Sequence, residues 1–290
     1  MSALTLTLVI LAAALHACWN LLSKQAASGG RHFVFAYRAA SVVLYAPWVA
    51  YVLWRNEMHW SLTVVGFIAL SSSIHLCYSL SLQRGYQVAD LSVVYPVARG
   101  TGPLLASLAA ILWLDEASSL YGLTGIACIV CGIFFLAMRG SFYRFSDPAA
   151  RAGIGWGVLI GVFIACYSVS DAYSVQTLMV VPVILDWFSA LGNVAIMAPG
   201  AWVQRRTMLD AMRGHWRSAW VVGLISPLAY ILVLYALQHG ALVSQVAPLR
   251  EMSMMMATVA GFLWLGERAS PVRLAGCGLI MVGTVLLATS

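Results

Sequence analysis

Ten apolar stretches divide this chain, each about as long as a bilayer is thick, and the connections between them are too short to hold another domain. They lie near 3–23, 33–54, 61–82, 88–113, 120–138, 153–174, 181–203, 217–238, 241–264 and 271–289. A helix needs roughly 20 mostly apolar residues to cross about 30 Å of hydrocarbon. The charge content agrees: 9% of the 290 residues are charged and 62% hydrophobic, with mean hydropathy +0.88. A soluble domain carries roughly 25% charge, so this chain has too few charges to cover a water-facing surface. Runs such as 4–15 and 126–137 are apolar on every face, unlike the alternating strands of a membrane β-barrel. Helices close their own backbone hydrogen bonds in lipid and are the remaining choice.

The first stretch has no basic segment before it and stays apolar through Leu22, which reads as a retained helix rather than a signal peptide. All six cysteines (Cys18, Cys77, Cys128, Cys131, Cys166, Cys277) fall inside predicted helices. Cys128 and Cys131 form a CxxC with no second ligand pair, so they read as packing thiols and imply no metal or cofactor. The net charge of +6 is spread between spans, which excludes a nucleic-acid patch. Odd-numbered loops hold Lys24, Arg31, Arg84, Arg139, Arg144, Arg151, Arg205, Arg206, Arg213, Arg217, Arg268 and Arg273, whereas the even-numbered loops and termini hold only Arg55. Basic loops stay cytoplasmic, so both termini are expected outside.

The chain repeats itself. Trp113-Leu114-Asp115-Glu116 matches Trp264-Leu265-Gly266-Glu267 at an offset of 151, which also pairs Arg99 with Arg250, Gly125 with Gly276 and Gly132 with Gly283. Leu82-Gln83-Arg84-Gly85 matches Leu237-Gln238-His239-Gly240 at an offset of 155, leaving four extra residues, about one helical turn, before Arg99. A weaker match pairs Ala17-Cys18-Trp19 with Ala165-Cys166-Tyr167. An odd number of spans per half makes the second half enter the membrane from the opposite side. The reading is an all-α integral membrane protein: ten transmembrane helices as two inverted five-helix repeats, 1–142 and 143–290, in one membrane domain. Inverted repeats recur in secondary transporters, with the substrate held between the halves near the midplane.

With these features the sequence resembles the drug/metabolite transporter superfamily, in particular its ten-helix EamA-type exporters. The resemblance rests on His16-Ala17-Cys18-Trp19-Asn20 followed by Lys24, on Arg38, on Leu114-Asp115-Glu116 and Leu265-Gly266-Glu267-Arg268, and on the glycine-rich last span of each half. It covers essentially the whole chain. Asp115 stands where the first-half motif usually has Gly, and Ala117 is the counterpart of Arg268. The resemblance implies export of metabolites such as amino acids, aromatic ones or drugs in some members. It also implies a multi-pass inner-membrane location with cytoplasmic termini, opposite to the expectation from the basic loops.

Charges at membrane depth cost at least about 2.5 kcal/mol each and normally face a cavity or a partner. Arg99 and Arg250 each follow a proline, Pro96 and Pro248, which frees a backbone carbonyl. Each arginine is a candidate anion site, or else it pairs with an acid such as Glu251 or Asp171 or snorkels to the interface. His16, Asn20 and Lys24 share one helical face with Trp19 beside them. Tyr167 and Asp171 do the same in the sixth span, His75, Tyr78 and Ser79 in the third. Tyr95 precedes Arg99 by one turn, and Tyr230 follows Pro227. These polar and aromatic faces either line one pocket or serve helix contacts and interfacial belts. Asp186 and Trp187 read as lying near the outer interface. The Met252, Met254, Met255 and Met256 cluster reads as core filling or as a compliant pocket wall.

The expected substrate-binding set is therefore His16, Trp19, Asn20, His75, Tyr78, Tyr95, Arg99, Tyr167, Tyr230 and Arg250, with Asp171 and Glu251 as coupling candidates. Alternating-access export of small metabolites, amino acids first, is the leading reading, for a monomer whose partners are its substrate and the bilayer. A multidrug or conjugate carrier of the same fold is the alternative. An intramembrane enzyme is remote, because the sequence has neither an HExxH ligand pair nor a Gly-x-Ser-x-Gly elbow.

Overall fold

The computed structural model describes residues 2–55, 57–88, 91–117, 119–137, 148–256, 259 and 271–289. Among these the chain is helical, with no strand. The helices are α1 (Ala3–Gln25), α2 (Gly30–Trp54), α3 (Leu62–Val88), α4 (Leu91–Trp113), α5 (Leu120–Ala137) and α6 (Pro148–Gln176). They continue with α7 (Pro182–Val203), α8 (Arg205–Ala211), α9 (Trp216–Gln238), α10 (Val243–Leu249) and α11 (Pro271–Thr289). Six of them (α1, α2, α3, α6, α7 and α9) are long and apolar enough to cross a membrane, and shorter apolar helical stretches cover Leu120–Phe135 and Leu274–Thr289. Trp54, Trp113 and Trp202, each at or near a helix C-terminus, are 72–78% exposed, as aromatic residues at a lipid–water interface are.

Two departures from the sequence expectation have simple causes. The stretch 203–217, read as a loop, holds the seven-residue α8, too short for any criterion based on bilayer thickness. The stretch 241–264, read as one span, is helical over α10, turns at Arg250 and Glu251, and is helical again over 252–256. Pro248 lacks the N–H that would continue the ladder. Trp264 through Arg268, Arg139 and Arg144 lie outside the described residues, as do the side chains of Lys24 and Arg273.

In lipid the carbonyls that prolines release need other donors, and the structure supplies serines from neighbouring helices. Pro248 frees the carbonyl of Ser244, which accepts the Ser107 hydroxyl of α4 at 3.1 Å. Pro227 frees that of Gly223, which accepts Ser41 of α2 at 3.0 Å. At the start of α10 the Glu116 carboxylate accepts the N–H groups of Val243 (2.7 Å) and Ser244 (2.9 Å). This charged cap joins the segment after α4 to the start of α10.

Helices pack where side chains are smallest. On α5 and α11, a Cβ on Gly125 would meet the Gly283 carbonyl at 3.0 Å, and one on Gly132 would meet that of Gly276 at 2.8 Å. The contact order reverses along the two helices, so they run antiparallel. Between α4 and α6, a Cβ on Gly161 would sit 3.0 Å from the Gly102 nitrogen. Further contacts join α1 to α9, α6 to α3, α2 to α9, α7 to α3 and α2 to α7.

Two substitutions test this framework. Glu116→Ala removes both cap bonds and should lower stability by about 1–2 kcal/mol, with Glu116→Gln losing less. Gly283→Val forces α5 and α11 apart and should cost about 1–3 kcal/mol. Unfolding of the purified protein in detergent checks both.

Candidate functional site

The buried charges gather at the helix break. Arg99, 3% exposed on α4, donates from Nη1 to Oε1 of the fully buried Glu251 at 2.9 Å. Its Nη2 lies against Nε2 of His16 on α1 and 3.4 Å from the Tyr95 hydroxyl one turn back. The guanidinium also stacks over the Tyr95 ring, 5.2 Å from its centroid. A guanidinium and a carboxylate taken out of water need such mutual neutralisation. Arg250 is treated differently. It is 4% exposed, donates from Nη2 to the Tyr167 hydroxyl at 3.1 Å and has no partner at Nε among the described residues. Among the described residues it makes no ion pair.

A second cluster surrounds Asp171, fully buried on α6. Its Oδ2 accepts the Tyr230 hydroxyl at 2.5 Å and lies 3.0 Å from Nε2 of His75, and its Oδ1 accepts Ser170 at 3.3 Å. The His75 ring stacks on Tyr167 at 4.4 Å and meets the edge of Tyr230 at 5.2 Å. Tyr78 and Tyr230 both pack edge-on against Tyr167, at 5.6 and 5.9 Å. Tyr167 therefore links this aromatic box to Arg250.

A cavity of about 50 Å³ opens between these groups. It is lined by His16, Trp19, Tyr37, Arg38, His75, Tyr78, Tyr167, Asp186, Ser226, Tyr230 and Arg250, with Ala12, Ala229 and Val233. Ligand pockets usually measure roughly 300–1,000 Å³, so this conformer is closed around space for a few waters. Arg38 and Asp186 are 9% and 7% exposed, and they face the cavity without pairing to each other at ion-pair distance. Arg38 lies over its neighbour Tyr37 at 5.4 Å, and its Nε has no partner. The cavity thus presents guanidinium groups to an anion, a carboxylate to a cation and aromatic faces to either a ring or a cation.

Of the expected binding residues, His16, Trp19, His75, Tyr78, Tyr167, Tyr230 and Arg250 meet at the cavity wall. Tyr95, Arg99, Asp171 and Glu251 stand behind it and hold that wall in place. Asn20 is not in the lining; its amide donates to the His16 carbonyl at 2.7 Å. Asp186, read from the sequence as lying near the outer interface, lines the cavity, and α7 is buried from its first turn, Pro182 to Asp186. Tyr37 and Ser226 were missed, and Arg38 had been noted only for the family likeness. A charge within the apolar stretch 33–54 was the available signal.

Comparison with known proteins adds the class. Residues 151–289 match the model of the EamA-like transporter family. That match places residues 151–289 among the EamA-like transporters. Its fold is also shared: one of 29 matching chains of known structure, a crystal structure of a protein, superposes with a TM-score of 0.74. That alignment covers 99% of this chain and 96% of the other at 15% identity, a likeness of fold alone. No curated protein matches the sequence.

The Arg99–Glu251 pair sets a stability test. Arg99→Ala strands the Glu251 charge and should cost about 3–5 kcal/mol, whereas replacing both residues by Met should recover most of the loss. Thermal unfolding in detergent reads both.

Proposed function

We propose that this EamA-like transporter is a secondary carrier that exports small zwitterionic metabolites, amino acids foremost, by alternating access through the central cavity. One observation carries the reading: Arg250 and Asp186, opposite in charge and without an ion-pair partner among the described residues, line the same cavity as His75, Tyr78, Tyr167 and Tyr230. A carboxylate fits the first, an ammonium the second, and an apolar or aromatic side chain the rings.

Alternating access needs two related conformations, and a ten-helix inverted repeat supplies them. What supports the repeat is the exchange of neighbours. The contacts α1–α9 and α2–α9 have mates in α6–α3 and α7–α3. Each of the pairs α2–α9 and α7–α3 also carries a serine-to-carbonyl bond of 3.0 Å, Ser41 to Gly223 and Ser72 to Ser189, with the donor on α2 in one and on α3 in the other. The antiparallel run of α5 and α11, the last helices of the two halves, is what inversion requires.

External termini follow from the basic loops, and the inner-membrane location from the likeness to EamA-type exporters. Arg31 and Arg84 border one cleft with Ala211 of α8, and Ser28 meets His215 at 3.0 Å, so the first and seventh loops lie at one end. The carrier is taken to act as a monomer. For energy coupling, Asp171 is the better of the two acids. Glu251 is held by a guanidinium, whereas Asp171 meets a phenol, an imidazole and a serine hydroxyl, groups that can pass a proton to the cavity. The aromatic box also suits organic cations, which keeps a multidrug carrier as the second reading.

Counterflow in proteoliposomes against a panel of amino acids, amines and carboxylic acids tests the function. Zwitterions should exchange. Arg250→Ala should raise their half-saturation about tenfold or more, the equivalent of one lost charge-assisted hydrogen bond. Asp186→Asn should weaken amino acids but not the corresponding acids that lack the amine. Asp171→Asn should remove the dependence on a proton gradient. No flux of any compound would refute the carrier reading, and competition by cations alone would favour the multidrug one.

A further inference from the structure

Two buried arginines at repeat-related positions have one acid between them. Glu251 directly follows Arg250 in the chain, yet its Oε1 reaches across to Arg99 at 2.9 Å. Among the described residues its Oε2 has no partner, and neither has Nε of Arg250, whose Nη2 donates to the Tyr167 phenol. The remaining neighbours of the cluster, His16, Tyr95 and Tyr167, engage the two guanidinium groups and leave Glu251 to them.

The backbone at this point is built to turn. Helix α10 ends at Leu249, residues 250–251 form a turn, and the next bonds span three residues, from Ser253 to the Arg250 carbonyl and from Met254 to that of Glu251. A rotation here re-aims Glu251 without breaking a continuous helical ladder.

We propose that Glu251 is a movable counter-ion shared by Arg99 and Arg250, and that its position decides which arginine is open to the substrate. In this conformer it neutralises Arg99 and leaves Arg250 facing the cavity for an anionic group. In the conformer reached by exchanging the halves it turns onto Arg250, displaces that group and releases Arg99. The substrate carboxylate and Glu251 are competitors for one guanidinium, so binding and reorientation are coupled through charge. This rests on the alternating-access reading above.

The test reads conformation and needs no transported compound. Ser226 lines the cavity, so a Ser226→Cys protein in sealed vesicles of the two orientations reports cavity access to a membrane-impermeant thiol reagent. The parent protein, with its six native cysteines, gives the background. Adding Arg99→Gln frees Glu251 to turn, so labelling should rise about fivefold or more from one face and not from the other. Arg250→Gln should hold Glu251 on Arg99 and suppress labelling from that same face. The double change Arg99→Gln with Glu251→Gln should abolish the shift although the same arginine is gone. Equal labelling of single and double variants at both faces overturns the proposal, as does an Arg250→Gln protein that labels like the parent. Either outcome stands even if counterflow finds no substrate, so this failure is distinct from failure of the carrier reading.

Discussion

Charge that cannot reach water governs this molecule. Arg99 and Glu251 neutralise each other at 2.9 Å with both side chains buried. Removing one partner of such a pair is far more damaging than never having had the pair. The pair joins α4 to the turn that follows α10, and His16 brings α1 against the same guanidinium. The helices around the cavity are thus referenced to one ionic contact, and the helix break in the core is tolerated because its charges and its freed carbonyl have partners.

The apolar framework serves that centre. Glycine seams bring α5 to α11 and α4 to α6 at backbone distance, serine hydroxyls take the carbonyls that prolines release, and Glu116 caps the start of α10. The glutamate of a short motif at the end of the fourth span therefore has a structural task at α10, 127 residues on. Behind the cavity, Tyr95 and Asp171 fix the orientation of Arg99, His75 and Tyr230. In front of it, Arg38, Asp186 and Arg250 keep unused bonding capacity.

Much of the helical layout was legible because bilayer thickness imposes a length that apolar residues reveal directly. Helices α1, α7, α9 and α11 begin and end close to the expected positions. Seven of the ten expected binding residues converge on the cavity for a similar reason: a polar or aromatic residue on an apolar helix has few other places to go. The rest depended on facts a sequence does not carry. Whether Arg99 or Arg250 took the acid is a matter of reach across the chain, and Glu251 bonds the arginine 152 positions away rather than its neighbour. That Asp186 lines the cavity depends on the burial of the first turn of α7, which its place in the span does not reveal. Asn20 shares a face with His16 and still spends its amide on its own helix.

The most direct measurement is a structure of the protein with an exchanging amino acid bound. The account predicts the carboxylate within hydrogen-bond distance of Arg250, the ammonium at Asp186 and the side chain among Tyr78, Tyr167 and Tyr230, with Glu251 still on Arg99. An amino acid bound elsewhere, or Arg250 paired with Glu251 while the substrate occupies the cavity, would contradict it.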